Sequence, residues 1–136
     1  ARRIADANGV TKIGSRIRYT INAATDYAEN AGLIKRKGDF LWEPSMTVPY
    51  IRDRGGLSPS SKKLQFIASE EMNLAIKKVV EGSIAIQPDA AVPLVAKMFG
   101  FARVTEDMRG HVLGVIDESV VSGVVVKDGE FLKANQ

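Results

Sequence analysis

Apolar residues fall at helical spacing over long stretches of this chain and alternate with polar ones over short stretches. Ile17, Ile21, Ala24, Ala28 and Ala31 step by 4, 3, 4 and 3 residues, which puts one stripe on one face of a helix over about 14–31. Met108, Val112 and Val115, with Ile116 and Val120 beside them, predict a second long helix over about 105–122. Ala75, Ile76, Val79 and Val80 predict another over 70–81, with Ser69 as N-cap and Glu70 and Glu71 in the first turn, where the helix dipole favours acid. Shorter helices are expected over 1–8 and 90–99, the latter capped by Asp89 after Pro88. Gly9, Gly32, Gly100 and Gly123 stand where helices end and a left-handed residue is wanted.

Two short runs around a turn follow each long helix. The first is Leu33-Ile34-Lys35, Arg36-Lys37-Gly38, Asp39-Phe40-Leu41-Trp42, and the second Val124-Val125-Val126, Lys127-Asp128-Gly129, Glu130-Phe131-Leu132. Asp-Gly between alternating residues is a strong hairpin signal. Ser83-Ile84-Ala85-Ile86 reads as a further short strand.

Sliding the chain along itself shows why these elements come twice. Residues 1–42 lie over 92–133 without a gap. Ala5, Gly9, Arg18, Asp26, Gly32, Gly38, Phe40 and Leu41 meet identical residues, and Ile4, Ile13, Ile17 and Ile21 meet Val95, Val104, Met108 and Val112. From residue 69 the order is helix, strand, helix, turn, helix, hairpin, the order of a helix-turn-helix with an appended wing. The expected fold is therefore mainly α with small β-hairpins (α+β), two winged-helix modules in tandem. Residues 1–42 form a partial module without the leading helix and strand, 43–68 an ordered connector and 69–136 a complete module. Either the sequence is cut from a longer protein, or another segment such as 57–68, or a partner chain, fills the gap. An incomplete first module also predicts a homodimer. In the connector, Met46, Val48, Tyr50 and Ile51 are expected to pack on the modules, and Trp42 to clamp it.

Gly32-Leu33-Ile34 to Phe40-Leu41-Trp42, Pro49-Tyr50-Ile51-Arg52-Asp53-Arg54, Ser69-Glu70-Glu71 to Ala75-Ile76 and Val79-Val80, and Leu94-Val95-Ala96 to Phe99-Gly100-Phe101 occur in that order. In this the chain resembles the C-terminal domain of unknown function of very large bacterial superfamily I helicase-like proteins. The resemblance implies a parent with an ATP-driven helicase core and other domains of its own for this region to meet. None of that machinery lies in these residues.

Composition narrows the chemistry. The 136 residues are 45% apolar and 26% charged, which is globular, with no cysteine and one histidine, His111. Disulfides, thiol catalysis, iron–sulfur clusters and cysteine zinc sites are excluded. No P-loop, Gly-x-Gly-x-x-Gly or Gly-x-Ser-x-Gly motif occurs. The adjacent acids Glu70-Glu71, Glu106-Asp107 and Asp117-Glu118 point in different directions on helices, and Asp107 with His111 is a surface i, i+4 spacing before it is a dyad. A non-catalytic protein without cofactor or metal is expected. No apolar run approaches the roughly 18–20 residues of a membrane span. No secretory leader follows Ala1-Arg2-Arg3-Ile4, so a cytoplasmic setting away from membranes is expected.

The net charge of +3 is unevenly spread, at +4 over residues 1–56 and −1 over 57–136. With the first stripe turned inward, Ser15, Tyr19, Asn22 and Asp26 point outward, flanked by Arg16 and Arg18. Lys12 precedes the helix, and Lys35, Arg36 and Lys37 form the wing. These residues predict a DNA-binding face, with base contacts from the helix and phosphate contacts from the wing. Asp26 and Glu29 oppose deep insertion of the helix's second half. In the second copy Glu106, Gly110, Leu113 and Asp117 take the outward positions, leaving Arg109 and Lys127 as phosphate candidates and favouring a structural or docking role. The alternative for the whole chain is a protein-interaction or scaffold module that docks on other domains of its parent. The aromatic residues Phe40, Trp42, Phe99, Phe101 and Phe131 are expected in the core.

Overall fold

The computed structural model describes residues 1–9, 12–59 and 61–135. It is an α+β chain, with five helices and two antiparallel two-stranded sheets among the described residues. In order these are α1 (Arg2–Ala7), α2 (Ser15–Asn30), β1 (Lys35–Lys37), β2 (Phe40–Trp42), a 3-10 turn at Leu64–Phe66, α3 (Ser69–Glu81), α4 (Pro88–Met98), α5 (Glu106–Val121), β3 (Val125–Asp128) and β4 (Phe131–Ala134). The chain divides into two compact units. Unit 1 is residues 1–49 with 57–66, and unit 2 is 50–56 with 67–136.

Unit 2 holds a dense core. α3 buries Met72, Ala75, Ile76, Val79 and Val80, α4 buries Ala91, Val92, Val95 and Ala96, and α5 buries Met108, Val112, Val115 and Ile116. Spacings of three and four residues place each set on one face, and α3 packs on both other helices. Val125 and Leu132 of the hairpin close the core. Each large aliphatic side chain buried here contributes about 1.5–3 kcal/mol.

Several local expectations change. The N-cap of α3 is Ala68, and Ser69 is already helical. The N-cap of α4 is Gln87, followed by Pro88, whose missing N–H costs nothing at the first helical position. Asp89 sits in the first turn and pairs with Arg109 at 2.5 Å instead of capping. Residues 83–86 form no strand. Only Ile86 is bridged, to Leu132, while Ile84 stands in solvent. Phe131 is exposed, unlike the buried Phe99.

Both hairpins turn later than the expected runs Arg36-Lys37-Gly38 and Lys127-Asp128-Gly129. Lys37 faces Phe40 and Asp128 faces Phe131, so the two-residue loops are Gly38-Asp39 and Gly129-Glu130. Glycine comes first in each loop, with φ of 60° and 62°, and no other residue type has positive φ among the described residues. That is the requirement of a II′ turn, whose twist matches the flanking strands.

Unit 1 repeats backbone features of unit 2 at a spacing of 91 residues. α2 and α5 each have sixteen residues and start at 15 and 106. Gly9, Gly32 and Gly38 have positive φ, as do Gly100, Gly123 and Gly129. At the ends of the long helices the Leu33 N–H donates to the Ala28 carbonyl and the Val124 N–H to the Ser119 carbonyl, both at 2.9 Å. The packing differs. No residue of α2 is buried.

The segment 50–56 is held to unit 2 by a buried ion pair. The Arg54 guanidinium donates to both carboxylate oxygens of Glu71, at 2.8 and 2.7 Å. The Arg52 backbone N–H adds a third bond to the same carboxylate at 2.9 Å. Arg54 also lies over the Phe99 ring, 5.4 Å from its centroid, and its N–H donates to the Phe99 carbonyl. Of the expected connector anchors, Met46 and Ile51 are half-buried, whereas Val48 and Tyr50 are exposed.

Candidate nucleic-acid interface

The basic face of unit 1 is built on α2. Ser15, Arg16, Arg18, Tyr19 and Asn22 are all exposed, as is Lys12 before the helix. Lys12, Arg16 and Arg18 make no ion pair among the described residues. The helix begins after Gly14, which has no side chain to cap the first N–H groups, and its first turn holds no acid. Unpaired N–H groups and arginine therefore share the positive end of the helix dipole, an arrangement that favours an anion. α5 starts the opposite way, with the Thr105 hydroxyl accepting from the Met108 N–H at 3.2 Å and Glu106 and Asp107 in the first turn.

The β1–β2 hairpin of unit 1 is engaged within the unit. Lys35 and Lys37 sit over the Trp42 ring, 5.6 and 4.7 Å from its centroid. The Lys35 ammonium also donates to the Met46 carbonyl. Trp42 itself is buried. Arg36 bonds Asp26 at 2.9 Å and approaches Glu29 at 3.9 Å. The two acids on the second half of α2 are thus compensated by Arg36, and the hairpin is fastened to the helix it follows. Sequence spacing showed neither the stacking on Trp42 nor this link, because each joins residues brought together only by the hairpin turn.

In unit 2, Arg109 is half-buried and paired with Asp89. Lys127 is exposed, but the next residue is Asp128, held at 2.6 Å by Lys133. That hydrogen bond and charge keep the Asp128 carboxyl below the ordinary carboxylate range. Glu106, Gly110 and Asp117 are exposed and Leu113 is half-buried. His111 makes no hydrogen bond to Asp107 among the described residues. It lines a shallow pocket of ≈ 340 Å³ with Gly110, Gly114 and Glu118.

Among the described residues no group of three His, Asp or Glu is placed to hold a metal. No helix there is long and apolar enough to cross a membrane. No family model, curated protein or solved structure matches the chain.

Proposed function

We propose that the chain is a non-catalytic DNA-binding region of winged-helix type, built from two modules, that contacts the phosphate backbone through unit 1. The observation that carries this reading is the start of α2, where Lys12, Arg16 and Arg18 have no ion-pair partner among the described residues and no side chain among them caps the helix. Charge distribution supports it, since unit 1 carries ten Lys/Arg against five Asp/Glu and unit 2 nine against eleven. Tyr19 and Asn22, one and two turns in, are suited to base edges or sugars. Lys35, Arg36 and Lys37 act mainly by fixing the wing against α2 and Trp42. Arg109 and Lys127 lie next to acids and contribute little. An accessory place in a helicase-like parent rests on the sequence resemblance alone.

Unit 2 fits a docking or scaffold role better, because Glu106, Asp107 and Asp117 would face phosphate. Binding to a labelled duplex at low salt tests the division. Arg16→Ala/Arg18→Ala should weaken it about tenfold or more, from two lost phosphate contacts. Arg109→Ala and Lys127→Ala should each change it by less than about twofold. Equal losses from both units would contradict the assignment.

A further inference from the structure

We infer that the apolar face of α2 is a docking site for a helix followed by a short segment that bridges the hairpin edge, of the same kind as 67–86, where Ile86 bridges Leu132. The two units show what is missing. In unit 2 the face of α5 packs against both α3 and α4, and Met108 and Val112 are 4% and 1% exposed. The residues 91 positions earlier are Ile17, which is 37% exposed, and Ile21, which is half-buried. Helix length, glycine conformations and hairpin register correspond between the units, whereas among the described residues α2 lacks both a counterpart of α3 and the close packing that α4 and β3 give α5.

The strand edge carries the same message independently. Leu132 exchanges two backbone bonds with Ile86, at 2.7 and 3.1 Å, on the side of β4 away from β3. The matching residue in unit 1 is Leu41, which faces Arg36 as Leu132 faces Lys127. Alternation along an antiparallel ladder turns the Leu41 N–H and C=O outward as well. They have no backbone partner among the described residues, and the side chain is 40% exposed against 0% for Leu132.

Residues 57–66 belong to unit 1 yet leave every residue of α2 unburied, so they are not the cover. Charge favours the same occupant. Segment 67–91 carries four acids against two lysines, opposite in sign to unit 1. Burial of the face would strand no polar side chain at its centre, because the Thr25 hydroxyl already donates to the Ile21 carbonyl at 2.8 Å. Ala24 and Thr25 stand where α5 has Val115 and Ile116, so the occupant has room for larger side chains than α3 carries.

A second copy of segment 67–91, carrying Glu71→Leu because Arg54 lies outside that segment, fused directly ahead of Ala1 reproduces the spacing of unit 2, where residue 91 precedes the counterpart of Ala1. Amide exchange read residue by residue should slow about tenfold or more at Ile21, Ala28 and Leu41 relative to the unfused chain. Ile17→Asp/Ile21→Asp in the fused protein should remove that protection while exchange in α3 and α5 stays slow, showing that unit 2 remains folded. Unchanged exchange at those three amides, with unit 2 folded, would overturn the inference. So would protection that arises in the unfused chain as its concentration is raised, since the occupant would then be a second copy. Neither readout involves DNA, so the result stands apart from the proposed function.

Discussion

Arg54 and Glu71 form the most demanding contact between single side chains. Glu71 has no exposed surface and depends on Arg54 for its charge balance. Arg54→Ala leaves a buried carboxylate unpaired and should cost about 3–5 kcal/mol in urea unfolding followed by circular dichroism. Arg54→Met/Glu71→Leu removes both charges and should recover most of that loss. The pair was not legible in the sequence. Glu71 looks like an ordinary first-turn acid, and its partner stands 17 residues away on an irregular segment. At the surface, Lys133→Ala should let the Asp128 carboxyl rise to its ordinary range in an NMR titration. Because the folded value is depressed, the pair's stabilisation is present above the unfolded carboxylate pKa and fades as pH falls through the folded one.

Helices and hairpins were legible to within two residues where apolar spacing and terminal glycines agreed, as for α2 and α5. Glycine carried the most information. Gly100 has a φ of 83°, and an added Cβ would lie 2.8 Å from the Gly55 Cα and closer still to its nitrogen. Gly38 has a φ of 60° and open space around it. Gly38→Ala should therefore cost the conformational penalty alone, about 1–2 kcal/mol, and Gly100→Ala clearly more, in thermal unfolding of each variant. Cap residues and turn register were less legible, because Ser69, Asp89 and the Asp128-Gly129 pair each fit two adjacent roles and tertiary contacts choose between them. The electrostatics of α2 lead to a trade-off. Arg16→Glu places acid at the positive end of the helix dipole and should stabilise unit 1 by about 0.3–1 kcal/mol while weakening duplex binding. A variant that loses stability and binds DNA unchanged would contradict that account of the helix start.

At the scale of the whole chain, positive charge collects in unit 1 and a packed core in unit 2. Charge counting along the sequence already located the basic half. It did not separate engaged from open cations, which depends on Trp42, Asp26 and Met46 meeting the basic residues of the β1–β2 hairpin. The cations at the start of α2, Lys12, Arg16 and Arg18, set the size of the expected electrostatic effect. Fluorescence anisotropy with a labelled duplex, taken between about 50 and 200 mM salt, tests it directly. Three phosphate contacts predict a log–log slope near −3, a loss of affinity of about 50-fold across that range. Arg16→Ala/Arg18→Ala should bring the slope to about −1. Absence of binding at the lowest salt by folded protein, or binding that salt leaves unchanged, would contradict a phosphate-contacting unit 1.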